Sequence, residues 1–230
     1  RSILVASGPW AHLAEGVRYV ASQPRLRVQM LLMGASMLLA WTYTGMLPAL
    51  TRDAYGLAER GYGLLMGLSG VGALAGALWV SGRAGHAEAD LRLLVRLMGL
   101  GALSVTCLTL APVALWAALP LMLAAFFQVA FMASSNTVLQ AEVPEHLRGR
   151  VMGLWVLVFG ATAPLGNVLI GALAERVGLR PALSVTSLGG VLVALVLLVV
   201  AWLRPPATWH PRVLGAVLAA AFAIKETSFI

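Results

Sequence analysis

A serine framed by glycines, Gly67-Leu68-Ser69-Gly70, lies inside a long apolar run, where a membrane-embedded serine nucleophile would have to sit. Attack by serine needs a base within hydrogen-bond reach. The four histidines, His12, His86, His146 and His210, all fall in connecting or terminal stretches, so no apolar run offers that base and a hydrolase is set aside. Cys107 is the single cysteine and sits in an apolar run, which rules out an internal disulfide and a thiolate cluster for a metal. No Gly-x-x-x-x-Gly-Lys-Ser/Thr loop is present, so the chain carries no phosphate cradle of its own for ATP. No catalytic residue, metal or cofactor is expected.

The remaining chemistry is recognition. A polar side chain at membrane depth must find a partner or face a cavity. Gln128 lies mid-run and shares a helical face with Phe131 and Ser135 by its i, i+3, i+7 spacing, while Trp41, Tyr43 and Asn167 fall at similar depth in other runs. The expectation is that Trp41, Tyr43, Gln128, Phe131 and Asn167 line a path for an amphipathic molecule through ring contacts and a few hydrogen bonds. Hydrogen bonding between helices with no ligand is the other reading of the same residues. No Asp, Glu, Lys, Arg or His lies in the core of an apolar run, and Arg96, near an end, can snorkel to the surface.

These residues need helices to carry them. Sixty per cent of the 230 residues are hydrophobic and only 11% are charged, and the mean hydropathy is +0.88, values outside the range of soluble domains. Apolar runs of about twenty residues point to helical spans, since lipid offers no partner to an open backbone. The fold class is therefore all-α, a polytopic bundle of six expected spans at residues 28–50, 61–81, 93–111, 116–140, 151–174 and 182–202. Lys and Arg fall twelve to four on the side of the termini, so both termini are expected in the cytoplasm. Residues 1–27 read as a cytoplasmic linker with no signal peptide. Residues 204–230 read as a cytoplasmic tail, a short interfacial helix or the start of a further span. The net charge of +7 is dispersed over short loops, unlike the clustered patch that would grip nucleic acid.

Glycines punctuate two spans. Gly63, Gly67, Gly72 and Gly76 give two Gly-x-x-x-Gly spacings in the second, which either pack neighbouring backbones closely or form a smooth surface for sliding. Gly160, Pro164, Asn167 and Gly171 share a face of the fifth, next to Gly166, and Pro164 is expected to bend that helix.

Glu15-Gly-Val-Arg-Tyr-Val20 followed by Pro24-Arg-Leu-Arg27, the glycine-laden second span, and Asn136 to Gly153 (NTVLQAEVPEHLRGRVMG) together resemble the major facilitator superfamily, in particular its enterobactin-exporter and macrolide-efflux branch. The most specific element is Pro144-x-x-x-Arg148-Gly-Arg150-x-x-Gly153 leading into Gly160-x-x-x-Pro164-Leu-Gly166. The likeness covers about residues 13–203. It implies the C-terminal six-helix half of a twelve-helix secondary transporter in the bacterial inner membrane, with an N-terminal half, a small-molecule substrate and a proton gradient as partners. It also implies a central cavity bordered by the first, fourth and fifth helices, and export by alternating access, with the titrating group in the other half. An importer of the same fold, a membrane subunit working with a separate ATPase, or a scaffold without transport remain the alternatives. One departure stands out: Gly82-Arg83-Ala84-Gly85-His86 keeps a glycine and arginine outline of the family's Gly-x-x-x-Asp-Arg-x-Gly-Arg-Arg loop but lacks its acid. Arg148 and Arg150 are either topology anchors or ion-pair partners, with Glu142 and Glu145 as nearby candidates.

Overall fold

Leucine, valine, alanine and glycine fill long stretches of this chain, and in each the backbone closes its own hydrogen bonds as a helix. The computed structural model describes residues 9–83 and 91–203. Among them six helices are long and apolar enough to cross a membrane. They are Pro24–Ala54, Glu59–Gly82, Leu91–Leu110, Ala114–Glu142, Glu145–Val177 and Leu179–Leu203, the first to sixth spans. A shorter helix, Pro9–Ser22, precedes them. The expected spans all correspond, but the first begins at Pro24 rather than at residue 28, because proline suits the opening turn of a helix, where its missing N–H costs nothing. The expected tail, 204–230, lies outside the described residues, as do 84–90 and with them Ala84, Gly85 and His86.

Successive spans alternate in direction, so odd and even spans run opposite ways. The first-to-second turn passes through Gly56 with φ +61°, and the fifth-to-sixth turn through Gly178 with φ +91°, backbone conformations that a side chain would strain. We call the end of the bundle holding Pro9–Ser22 the near end and the opposite one the far end.

Two seams of the bundle are decided by small residues. The second span lies parallel to the fourth, with Gly72 on the carbonyl of Met122 and Gly76 on that of Phe126. The third and sixth run antiparallel, with Gly99 against Ala194 and Gly190 against Ala102. Toward the far end of this seam the pairs become hydroxyls: Thr106 donates to Ser187 at 2.9 Å, and Thr109 and Ser184 share a bond of 2.6 Å. Lipid supplies no hydrophobic drive between helices, so such close approach and hydroxyl pairing hold spans together. The first span threads between these seams and the fifth.

Two apolar cores are stacked along the bundle axis. The near-end core gathers Leu26, Met33, Leu94, Met98, Phe131, Leu139 and Val151, with Val20 from the short helix, and the far-end core gathers Leu47, Leu65, Leu108, Leu121, Ile170 and Leu183. Burial is uneven. Of the most apolar stretch of each span, 67% is buried in the first and 56% in the third, but only 17% in the second and in the fifth.

Candidate functional site

The first and fourth spans are joined by two polar rungs. Gln29 donates its amide N–H to the carbonyl oxygen of Ser135, and seven residues further along Ser36 donates to the Gln128 amide oxygen at 3.2 Å. The same seven-residue step separates Gln128 from Ser135, so each helix contributes one glutamine and one serine, in opposite order. Phe131 lies between the rungs and is fully buried. Gln29 and Ser36 were missed in the sequence because Gln29 sits at the very start of an apolar run and a lone serine in a helix ordinarily caps its own backbone.

These rungs change the placement expected for part of the path. Gln128 is 2% exposed, Phe131 0% and Tyr43 3%, so in this bundle all three are sealed inside rather than opening on a cavity. Gln128 accepts from Ser36 through its amide oxygen while its amide nitrogen is buried with no partner among the described residues, and the Tyr43 phenol has Ser69 as its hydrogen-bond partner. That bond also accounts for Ser69, the serine of the Gly67–Gly70 stretch, as an interhelical contact.

Trp41 and Asn167 behave differently. Both are half-buried and both belong to the seam between the first and fifth spans, which run parallel. The first span widens there into a π-helical turn over Met37–Trp41, a local irregularity found often at functional sites. Hydroxyls tend the disturbed carbonyls: Thr44 donates to Trp41 at 2.9 Å and Thr42 to Leu38 at 3.5 Å. The Trp41 ring meets Phe159 edge to face, with centroids 6.2 Å apart, and Phe159 lies nearly parallel to Trp155, also at 6.2 Å and with 10° between planes. Further along, Gly166 admits the Thr42 methyl, and Gly45 leaves room for the Asn167 amide, whose oxygen would lie 2.7 Å from a Cβ built on that glycine. Two polar atoms of this seam are buried without a hydrogen-bond partner among the described residues, the Asn167 amide oxygen and the Trp155 indole nitrogen. Trp155 and Phe159 escaped the sequence reading because aromatic residues in an apolar run look like ordinary core.

The glycines divide into two groups. Gly72, Gly76 and Gly166 each meet a neighbouring helix, whereas Gly63, Gly67 and Gly160 have nothing within 4 Å of a built Cβ. Pro164 is exposed within the helix Glu145–Val177, which continues through it.

Charge gathers at the near end. Arg150 pairs with Glu15 of the short helix, and Gly16 of that helix sits against the Arg150 carbonyl. Arg25 pairs with Glu142 across 3.4 Å. Among the described residues neither Glu142 nor Glu145 forms an ion pair with Arg148 or Arg150: Glu142 takes Arg25, and Arg150 takes Glu15. Arg148 is exposed with no ion-pair partner among the described residues, and Arg83 lies 4.9 Å over the Trp79 ring.

A cavity of about 930 Å³ opens at the far end between the first and second spans, bounded by Gly45, Met46, Pro48, Arg52, Arg60 and Tyr62 among others. The turn beside it is braced. The Tyr55 hydroxyl donates to the Leu108 carbonyl at 3.1 Å, and Arg180 lies over the Tyr55 ring while donating to the Ala54 carbonyl. Burial pushes the Tyr55 phenol above its ordinary pKa, and the Arg180 cation partly offsets this.

Comparison with known proteins agrees with this architecture. Residues 29–228 match the family profile described as Major Facilitator Superfamily. The multidrug efflux pump Tap of Mycolicibacterium fortuitum is 31% identical over 192 residues, covering 81% of this chain and 45% of that protein. The enterobactin exporter EntS of Salmonella choleraesuis (strain SC-B67) is 29% identical over 195 residues, covering 84% and 46%. The chain spans about half the length of the curated relatives it matches. No solved structure matches it.

Proposed function

The chain belongs to the Major Facilitator Superfamily, a family of membrane transporters rather than enzymes, and from that premise we propose that it is the C-terminal six-helix half of a proton-linked exporter of small amphipathic compounds. Tap and EntS, an efflux pump and an exporter by name, support the outward direction. In this reading a further half-bundle covers the little-buried second and fifth spans, both termini face the cytoplasm of a bacterial inner membrane, and the two halves rock about a path between them. The titrating carboxylate lies in the other half, since the cores of these spans contain no Asp, Glu, Lys, Arg or His.

The observation that carries the reading is the seam of the first and fifth spans. At mid-depth it combines a widened helical turn, half-buried rings at Trp41 and Phe159, and an unpaired Asn167 amide oxygen. Rings with a few placed polar groups are what a site for amphipathic ligands requires. Gln128, Phe131 and Tyr43 form the supporting wall behind it.

The test is accumulation. The complete protein is expressed in an efflux-deficient bacterium, and uptake of dyes, macrolides and siderophores is followed with and without a protonophore. Reduced accumulation that the protonophore abolishes is the expected result. Accumulation indifferent to expression for every compound would sink the exporter reading, and reduction that survives the protonophore would remove the proton.

A further inference from the structure

The indole N–H of Trp155 is buried, in a residue only 5% exposed, and no acceptor meets it among the described residues. Buried donors nearly always have a partner, and one left without calls for an explanation. Packing alone does not supply it. Phenylalanine at this position would fill the same stack on Phe159 without an unmet donor, as Phe159 itself does against Trp41.

The surroundings are those of a place a ring could enter. Phe159 stands about midway along Glu145–Val177 and Trp41 about midway along Pro24–Ala54, both half-buried, while Gly160 beside Phe159 has nothing within 4 Å. Trp155 lies one helical turn from Phe159 toward the near end, its ring plane within 10°. Offset-parallel and edge-to-face contacts are the arrangements aromatic rings favour, and both are present here.

We propose that Trp155 is a specificity-determining donor of the transport path, selecting planar aromatic substrates that carry a hydrogen-bond acceptor oxygen on the ring edge. The substrate ring joins the Trp41–Phe159 pair and its oxygen takes the indole N–H, after a turn of that side chain. The inference rests on the first–fifth seam being part of the path. It goes further in naming the substrate class and the residue that reads it.

The test uses the complete protein in lipid nanodiscs and two neutral probes, 10-methylacridone and 10-methylacridan, which differ in that a ring carbonyl is replaced by CH2. Trp155→Phe weakens acridone binding roughly five- to tenfold, the scale of one hydrogen bond, and leaves acridan unchanged. Trp41→Leu weakens both. If Trp155→Phe does not fold, the wild-type protein answers by itself: the 15N-labelled Trp155 indole resonance shifts with acridone and not with acridan. Equal effects of Trp155→Phe on the two probes, an unmoved indole resonance, or no binding of either probe would overturn the proposal. In the last case, continued extrusion of other compounds in the accumulation panel would leave the exporter reading standing while this one fell.

Discussion

Replacing Gly76 by alanine places a methyl carbon 2.4 Å from the Phe126 carbonyl oxygen, and replacing Gly72 places one 2.1 Å from that of Met122. Ordinary van der Waals contact begins at 3.4 Å, so the second span must withdraw by 1.0 Å at position 76 and 1.3 Å at position 72. The obstacle in each case is backbone of the fourth span, which has no rotamer to give. Forced overpacking of this kind costs about 1–3 kcal/mol, and the loss is felt fully in a membrane, where packing rather than water drives helix association. Gly67 supplies the control, because it lies in the same helix with nothing within 4 Å and gains only the modest helix preference of alanine, up to ~1 kcal/mol. The assay is equilibrium unfolding of the purified complete protein in mixed micelles with increasing SDS, followed by tryptophan fluorescence. Gly72→Ala is expected to be the least stable, Gly76→Ala next, and Gly67→Ala equal to or slightly above wild type. Equal stability of Gly76→Ala and Gly67→Ala would refute the claim that the 72/76 pair, and not 63/67, holds the second and fourth spans together.

Three further outcomes follow from the same structure. A double-mutant cycle with Ser36→Ala and Gln128→Leu should give a coupling of about 0.5–1.5 kcal/mol, as expected of one hydrogen bond between spans, and a coupling of zero would remove the rung. Glu15→Gln should loosen the short helix from the fifth span by under ~1 kcal/mol, since both partners are partly exposed. Faster protease cleavage near residue 22 reads this out, and Arg150→Gln should add little to Glu15→Gln if the pair is the cause. Asn167→Leu fills the space over Gly45 without the unpaired oxygen, so it should leave stability unchanged or raised while weakening export of substrates that donate hydrogen bonds; unaltered export would remove Asn167 from the path.

The six spans were legible in the sequence because membrane depth sets a length and a composition that twenty residues cannot hide. Helix directions followed from the short loops. What composition does not carry is which face of a span meets which neighbour. Gly63/Gly67 and Gly72/Gly76 have the same spacing, yet only the second pair meets a backbone, and that depends on where the fourth span crosses. Gln128 was recognisable as a polar residue at depth, but its partner Ser36 was not, since nothing local ties two positions 92 residues apart. The Thr106–Ser187 and Thr109–Ser184 pairs were hidden for a related reason: each hydroxyl can also bond within its own helix, as Thr106 does to the Ala102 carbonyl, and so passes for an apolar residue. Pairing of Arg150 with Glu15 rather than a neighbour required knowing that residues 9–22 fold back as a helix.

The two glutamine–serine rungs have a consequence for motion. Because the first and fourth spans are antiparallel and each rung pairs a glutamine with a serine, sliding one span along the other by a single turn would strip both bonds together. Sliding by seven residues would bring Gln29 opposite Gln128, or Ser36 opposite Ser135, and leave the remaining rung empty. The pair therefore acts as a two-toothed key that fits in one register only. These two spans are locked and the second is clamped to the fourth through Gly72 and Gly76, whereas at the first–fifth seam the helix is widened and the rings of Trp41 and Phe159 are only half covered. In the exporter reading proposed above, rearrangement would concentrate there, in the residues that reading assigns to the substrate path.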